Sequence, residues 1–231
     1  NRAVSSRSGS ADVLEALGVS VDIPPETALR CSRETGFAFL FAPRYHPAMK
    51  SVAPLRKALG VRTVFNLLGP LVNPAGVLRQ VVGVYHLDLL KTYAEVLREL
   101  GAERALVVRG SDGMDELTLT GPTSVWHLER GGLREETVSP EDAGLCRADP
   151  SSLRGGDAAE NARLMEEVLE GKPGPFLEGP LFTAAAALIA AGLAPGWKDG
   201  VALARESIRS GKAMAVLSGL RKIAGSEKKD A

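Results

Sequence analysis

The stretch from Gln80 to Val108 limits the possible folds more than any other part of the chain. Gln80 to Tyr85 is a short apolar run rich in β-branched residues, and Ala105 to Val108 is a second. Between them Leu89, Leu90, Tyr93, Leu97 and Leu100 recur at helical spacing, opened by Asp88 as a candidate N-cap and closed by Gly101. Strand, helix, strand at this spacing predicts a βαβ unit with a parallel strand pair, and so an α/β fold. Further strands are predicted at Phe37 to Phe41 and at Ser124 to Leu128, the latter ending in a Gly131-Gly132 turn. The expected sheet has at least four strands.

Helices are predicted at Ala11 to Leu17, after Ser10 and before Gly18, and at Pro47 to Leu59, where Pro47 suits the first helical position. Toward the C-terminus come Ala158 to Leu169, the Ala-rich Thr183 to Ala191, and Gly200 to Ile223, with a charged tail from Ser226. At 231 residues the chain can bury a sizeable core. Its 28 basic residues balance 28 acidic ones, which argues against a sequence-blind nucleic-acid or membrane-surface binder, because such partners need a net basic field. Cys31 and Cys146 match no metal spacing and read as reduced structural thiols, which points to the cytoplasm. The longest apolar run, Leu181 to Leu193, falls short of a membrane span. The chain opens on Asn1 rather than a methionine, so an upstream segment is expected.

Three stretches can carry chemistry. Ser5-Ser6-Arg7-Ser8-Gly9-Ser10 precedes a helix, so small side chains expose backbone N–H groups beside a positive dipole end; an anion suits such a place, although a Ser/Gly linker with a Ser cap is the commoner reading of the pattern alone. Ser111-Asp112-Gly113-Met114-Asp115-Glu116 follows a predicted strand, where ligands of open α/β sheets gather. Carboxylates there suit Mg²⁺, whereas an Asp-Gly turn with solvated acids is the commoner reading of the pattern alone. Met49, Val52, Leu55 and Leu59 form the buried stripe of the third, leaving Arg56 beside it. That guanidinium could grip a carboxylate through two parallel bonds, whereas a structural salt bridge or a snorkelling side chain is the commoner reading of the pattern alone. His86 and His127 fall in or after strands and are assigned nothing. No Ser/His/Asp order, HExxH or P-loop occurs.

Taken in order, Asn1 to Gly18, His46-Pro47-Ala48-Met49-Lys50, Arg62 to Leu71, Gly113-Met114-Asp115-Glu116 and Gly155 to Ala162 resemble the anthranilate phosphoribosyltransferases over nearly the whole chain. The family pattern Lys-His-Gly-Asn-Arg survives only in its last two residues, and the family's upstream Gly-Thr-Gly-Gly-Asp loop and most of its helical domain are not in this sequence. Phe182-Thr183-Ala184 stands where relatives commonly carry Leu-Asn-Ala.

The resemblance implies a large α/β domain with a mostly parallel central sheet flanked by helices, plus part of a small all-helical domain. The expected boundaries are 1–45 for the first α/β segment, 46–67 for the helical segment and 68–231 for the second α/β segment. It implies transfer of the phosphoribosyl group of 5-phosphoribosyl 1-diphosphate to the amine of anthranilate, with Mg²⁺ as cofactor, in tryptophan biosynthesis. Asn1, Arg2, Ala3, Val4, Ser5, Ser6 and Ser10 would border the diphosphate, Asn1 and Arg56 would bind anthranilate, and Asp115 and Glu116 would hold the metal. No residue is assigned as general acid or base, and His46 stands near the implied anthranilate pocket without a role. A homodimer is implied, with neither nucleic acid nor membrane as partner. The rival readings are a nucleoside phosphorylase of the same fold, against which the acid pair speaks, and a non-catalytic relative that binds nucleic acid, against which the balanced charge speaks.

Overall fold

A computed structural model of the chain describes residues 8–47 and 64–225. Its helices are α1 (Ser10–Ala16), α2 (Pro25–Thr35), α3 (Ala42–Tyr45), α4 (Phe65–Leu68), α5 (Leu89–Glu99), α6 (Ala158–Leu169), α7 (Pro175–Ala191), α8 (Trp197–Arg209) and α9 (Lys212–Ala224). Four strands, β1 (Arg79–Gly83), β2 (Arg104–Gly110), β3 (Thr123–Glu129) and β4 (Gly132–Val138), form one sheet in the order β1-β2-β3-β4. The chain separates into two compact units, one built from 1–63, 155–172 and 207–231, the other from 64–154 and 173–206.

The second unit carries the sheet. As the βαβ pattern requires, β1 and β2 run parallel, with Val82 opposite Val107. The expectation of a mostly parallel sheet fails beyond them, since β3 runs antiparallel to β2 and β4 antiparallel to β3. For β4 the cause is local: Arg130 and Gly131 both take positive φ, 51° and 78°, and join β3 to β4 as a two-residue hairpin of the kind whose twist suits flanking strands. β2 is buried along most of its length, as an inner strand should be. On one face α5 packs Leu90, Tyr93, Ala94 and Leu97 against Val82, Val84, Ala105, Val107 and Leu128. Leu100, expected in that stripe, is exposed, and Asp88 stands at the N-cap without a side-chain cap bond. Because side chains alternate along a strand, Leu106, Val125 and His127 face the other way. α7 packs against β1 and β2. Its start lies well before the predicted Thr183, because the helix runs through Pro180. Gly200 lets α8 approach it: a Cβ there would stand 2.7 Å from the Ala185 Cβ. Phe182, the departure from the family pattern, is fully buried with its ring edge-on to Trp197, centroids 5.5 Å apart.

The first unit is helical in its described residues. Leu17, Val19, Ile23, Ala28 and Cys31 pack with Ala162 of α6 and with Leu217, Leu220, Ile223 and Ala224 of α9. The α2 helix, which starts on Pro25 and ends at Gly36 with φ 77°, is an addition to the expected elements. The predicted strand Phe37 to Phe41 has no ladder partner among the described residues; Phe39 and Phe41 instead pack on Ala11 and Val21. The predicted helix Gly200 to Ile223 is two helices, because Gly211 at φ 75° turns the chain between α8 and α9. Cys31 is buried and Cys146 exposed, so only the first is a core thiol. No helix among the described residues is long and apolar enough to cross a membrane.

Candidate functional site

The acidic loop begins where β2 ends, beside the carboxyl end of its parallel neighbour β1. Asp112 organises this loop. Its carboxylate accepts from the Met114 backbone N–H at 3.1 Å, from Thr118 Oγ1 at 2.5 Å and from Thr120 Oγ1 at 2.8 Å. Burial pushes its pKa up, but the hydrogen bonds from Thr118, Met114 and Thr120 outweigh it and hold the group below the usual carboxylate range. The Gly110 N–H donates to the Met114 carbonyl at 2.9 Å and the Gly113 N–H to the Gly110 carbonyl at 3.0 Å, closing the turn. Of the three acids in the stretch, Asp112 is therefore consumed as a brace, leaving Asp115 and Glu116 to face outward.

That placement depends on a residue whose importance the strand pattern hides. A Cβ on Gly83, the last residue of β1, would stand 1.6 Å from the Asp115 carbonyl oxygen, so only glycine lets the loop lie against the strand. Glu116 is exposed to solvent on one side and crowded on the other. Partial burial raises its pKa, and the negative charges of Asp115 and Asp112 raise it further. Two hard oxygen donors that repel each other suit a divalent cation, which would relieve the repulsion. The described residues hold no group of three or more His, Cys, Asp or Glu that could ligate a metal, so a cation here would keep open positions for water or substrate oxygens. The residues present fit Mg²⁺.

The second stretch lies in the first unit. Of the residues expected to border a diphosphate, Asn1, Arg2, Ala3, Val4, Ser5 and Ser6 lie outside the described residues, as do Arg56 and the predicted helix from Ala48 to Leu59. Ser10 is exposed as the first helical residue of α1, so Gly9 rather than Ser10 is the N-cap; the Gly9 N–H donates to Asp12 at 2.9 Å. Beside it Ser8 accepts a 2.7 Å bond from Asn161 Nδ2, a residue to which the sequence assigned no role. His46, half-buried, ends α3.

His127 is buried, with Nε2 2.6 Å from Glu136 Oε2. That nitrogen nevertheless lacks a well-directed hydrogen bond, so the contact is close without being aligned, and burial holds the imidazole's pKa below its ordinary value. It borders a recess of about 460 Å³ with Arg104, Glu129, Arg134, Glu136 and Trp197. Arg104 is paired to Glu129 at 2.5 Å and Arg134 to Glu136 at 3.1 Å, and Arg104 lies at the opposite end of β2 from the acid loop. The cations of this recess, Arg104 and Arg134, are thus already paired with carboxylates.

The chain matches the model of the glycosyl transferase family, a/b domain, over residues 1–214. It is 55% identical over 220 residues to an anthranilate phosphoribosyltransferase of Bradyrhizobium diazoefficiens, covering 95% of this chain and 65% of that protein's length. Among solved structures, the enzyme of that name from Thermus thermophilus superposes with a TM-score of 0.91 at 48% identity, over 97% of this chain and 67% of that one. The Saccharomyces cerevisiae enzyme in complex with PRPP and Mg superposes at 0.87 with 32% identity, over 94% and 63%. The chain thus spans about two thirds of the relatives it matches.

Proposed function

We propose, on the premise that this chain belongs to the anthranilate phosphoribosyltransferase family, that the complete protein moves the phosphoribosyl group of 5-phosphoribosyl 1-diphosphate onto the amine of anthranilate. The products are N-(5-phosphoribosyl)anthranilate and pyrophosphate, a step of tryptophan biosynthesis. One observation carries this reading: a loop braced by Asp112 and admitted by Gly83 presents Asp115 and Glu116 at the carboxyl end of a parallel strand pair.

Asp115 and Glu116 are the residues that would hold Mg²⁺. When bound, that ion supplies positive charge against the diphosphate and the departing pyrophosphate. Asn1, Arg2, Ala3, Val4, Ser5, Ser6 and Ser10 border the diphosphate in this reading, offering small side chains and backbone donors. Arg56, with Asn1 beside it, grips the anthranilate carboxylate through a planar two-bond fork. The chain needs no general base, since a neutral aromatic amine is already a nucleophile. Holding the two substrates in line and stabilising charge does the work. Residues 46–67 then belong to a small helical domain and 1–45 and 68–231 to the α/β domain. The homodimer and the cytoplasmic setting are part of the same reading; two free cysteines accord with a reducing compartment.

The test uses the complete protein with anthranilate, phosphoribosyl diphosphate and Mg²⁺, following the loss of anthranilate fluorescence. Asp115→Asn combined with Glu116→Gln should abolish Mg²⁺-dependent turnover without unfolding the protein, since both changes keep size and remove only charge. Undiminished turnover at limiting Mg²⁺ would reduce the pair to a solvated turn.

A further inference from the structure

Arg109 has no part in the chemistry above, yet it stands at the root of the acidic loop. It is half-buried near the end of β2, and its guanidinium is spent on backbone carbonyls. Nε donates to the Tyr85 carbonyl at 3.3 Å, just beyond the end of β1, and Nη1 donates to the Gly110 carbonyl at 3.2 Å, at the end of β2. One side chain therefore ties together the carboxyl ends of the parallel pair. Nη2 lies beside the turn itself, since a Cβ on Gly113 would stand 3.8 Å from it.

Gly110 is the residue on which the loop turns. Its N–H donates to the Met114 carbonyl at 2.9 Å and its carbonyl accepts the Gly113 N–H at 3.0 Å, so the bond from Arg109 falls on an atom that already closes the turn. Because side chains alternate along a strand, Arg109 shares the α5 face with Val107, whereas Gly83, between Val82 and Val84 of that face, turns toward the opposite one. Asp115 lies against the sheet at Gly83, and Arg109 holds the base of the loop from the other side. The stretch that carries Asp115 and Glu116 is thus fastened from both faces. Among the described residues Arg109 forms no ion pair, although Asp112, Asp115 and Glu116 follow it closely. A guanidinium gripping the acid pair would compete with a cation for its oxygens; one spent on carbonyls fixes the loop and leaves those oxygens open.

We infer that Arg109 is a positioning residue: by holding Tyr85 and Gly110 together it fixes where Asp115 and Glu116 present their carboxylates, and so sets the affinity of the pair for a divalent cation. The inference rests on the functional reading above, which gives the pair to Mg²⁺. It predicts a sign that charge alone does not. Removing a cation from beside carboxylates would by Coulomb attraction tighten a bound metal ion, whereas loss of positioning loosens it.

The experiment uses the complete protein and Mn²⁺ alone, a paramagnetic probe of Mg²⁺ sites, titrated by electron paramagnetic resonance beside Mg²⁺-dependent turnover. Arg109→Gln should raise the Mn²⁺ dissociation constant about ten-fold, the lower end of what losing a group behind a metal ligand costs, and raise the half-saturating Mg²⁺ by a similar factor. Arg109→Lys keeps the charge but has no planar fork to span two carbonyls, so it should weaken Mn²⁺ by about three-fold, and it decides the matter if Arg109→Gln folds poorly. Unchanged or tighter Mn²⁺ binding in the folded variants, even with a lower melting temperature, leaves Arg109 a tie of the fold and overturns the inference. Asp115→Asn combined with Glu116→Gln is the control and should abolish Mn²⁺ binding. If binding survives in that control, or wild type binds no Mn²⁺, the acid pair is not the metal site, and that part of the functional reading falls together with this inference.

Discussion

If Glu116 holds Mg²⁺ as proposed, function and stability pull in opposite directions at this residue. Crowding and the neighbouring charges of Asp115 and Asp112 raise its pKa, so the folded chain holds a proton there more tightly than the unfolded chain does. The sign follows from linkage: the folded state is favoured at low pH, and that advantage is lost as pH rises from the ordinary glutamate value through the raised one. At neutral pH the ionised carboxylate is therefore a net strain on the fold, reduced by the solvent on its open side. Glu116→Gln should melt slightly higher than wild type at pH 7 and no higher at pH 4, while losing Mg²⁺-dependent turnover. Thermal melts at the two pH values without Mg²⁺ check this. A variant that melts lower at pH 7 would mean that Glu116 has a stabilising partner. Gain of stability with loss of function is the pattern expected of a group kept for its ligand.

Which elements were legible in the sequence depends on whether their signal was local. β1, α5 and β2 were, because apolar runs and helical periodicity lie within about thirty residues and their packing follows the same pattern. β4 was not, because Gly132 to Val138 carries Arg134, Glu135 and Glu136 and is specified by the Arg130-Gly131 hairpin rather than by apolar alternation. Phe37 to Phe41 failed in the opposite way, being apolar enough for a strand but without a ladder partner among the described residues. The place of the acidic loop after a strand was legible, whereas the Ser8–Asn161 contact joins ends of the chain that no window spans. The hairpin has its own measurable consequence. Burial, with Arg134 nearby, holds the His127 pKa below its ordinary value, against the opposing pull of Glu136 and Glu129. A depressed histidine contributes stability that is complete above about pH 6.5 and is lost as pH falls below it. The melting temperature of wild type should therefore drop more between pH 7 and pH 5 than that of His127→Gln, all other groups being common to both. Parallel curves would show that His127 titrates normally.

Taken whole, the first unit is assembled from three separated lengths of chain, and its completion waits on the last of them. One side chain joins all three. Arg221 of α9 donates through Nε to the Leu17 carbonyl at the end of α1, at 2.6 Å, and through Nη2 to Glu166 of α6, at 2.5 Å. The first bond satisfies a carbonyl that the helix end leaves without an intrahelical partner, and it spans 204 residues. Closing a contact of such separation costs loop entropy, which the packing of α9 with the other two segments must offset. The two bonds are not equal in weight. The ion pair joins side chains that are 37% and 41% exposed, so solvent screens most of its value, while the charge-assisted bond to a carbonyl keeps more. Arg221→Met keeps the aliphatic stem and removes both bonds; it should cost about 1–2 kcal/mol, mostly through Leu17. For a chain of this length that lowers the melting temperature by roughly 2–8 °C. Glu166→Gln removes only the ion pair's charge and should cost less than about 0.5 kcal/mol. Urea unfolding of the two variants beside wild type separates the contributions. If Glu166→Gln is as damaging as Arg221→Met, the ion pair is the fastening and the Leu17 carbonyl is not; if neither matters, the three segments are held by Leu17, Ala162 and Leu217 packing alone.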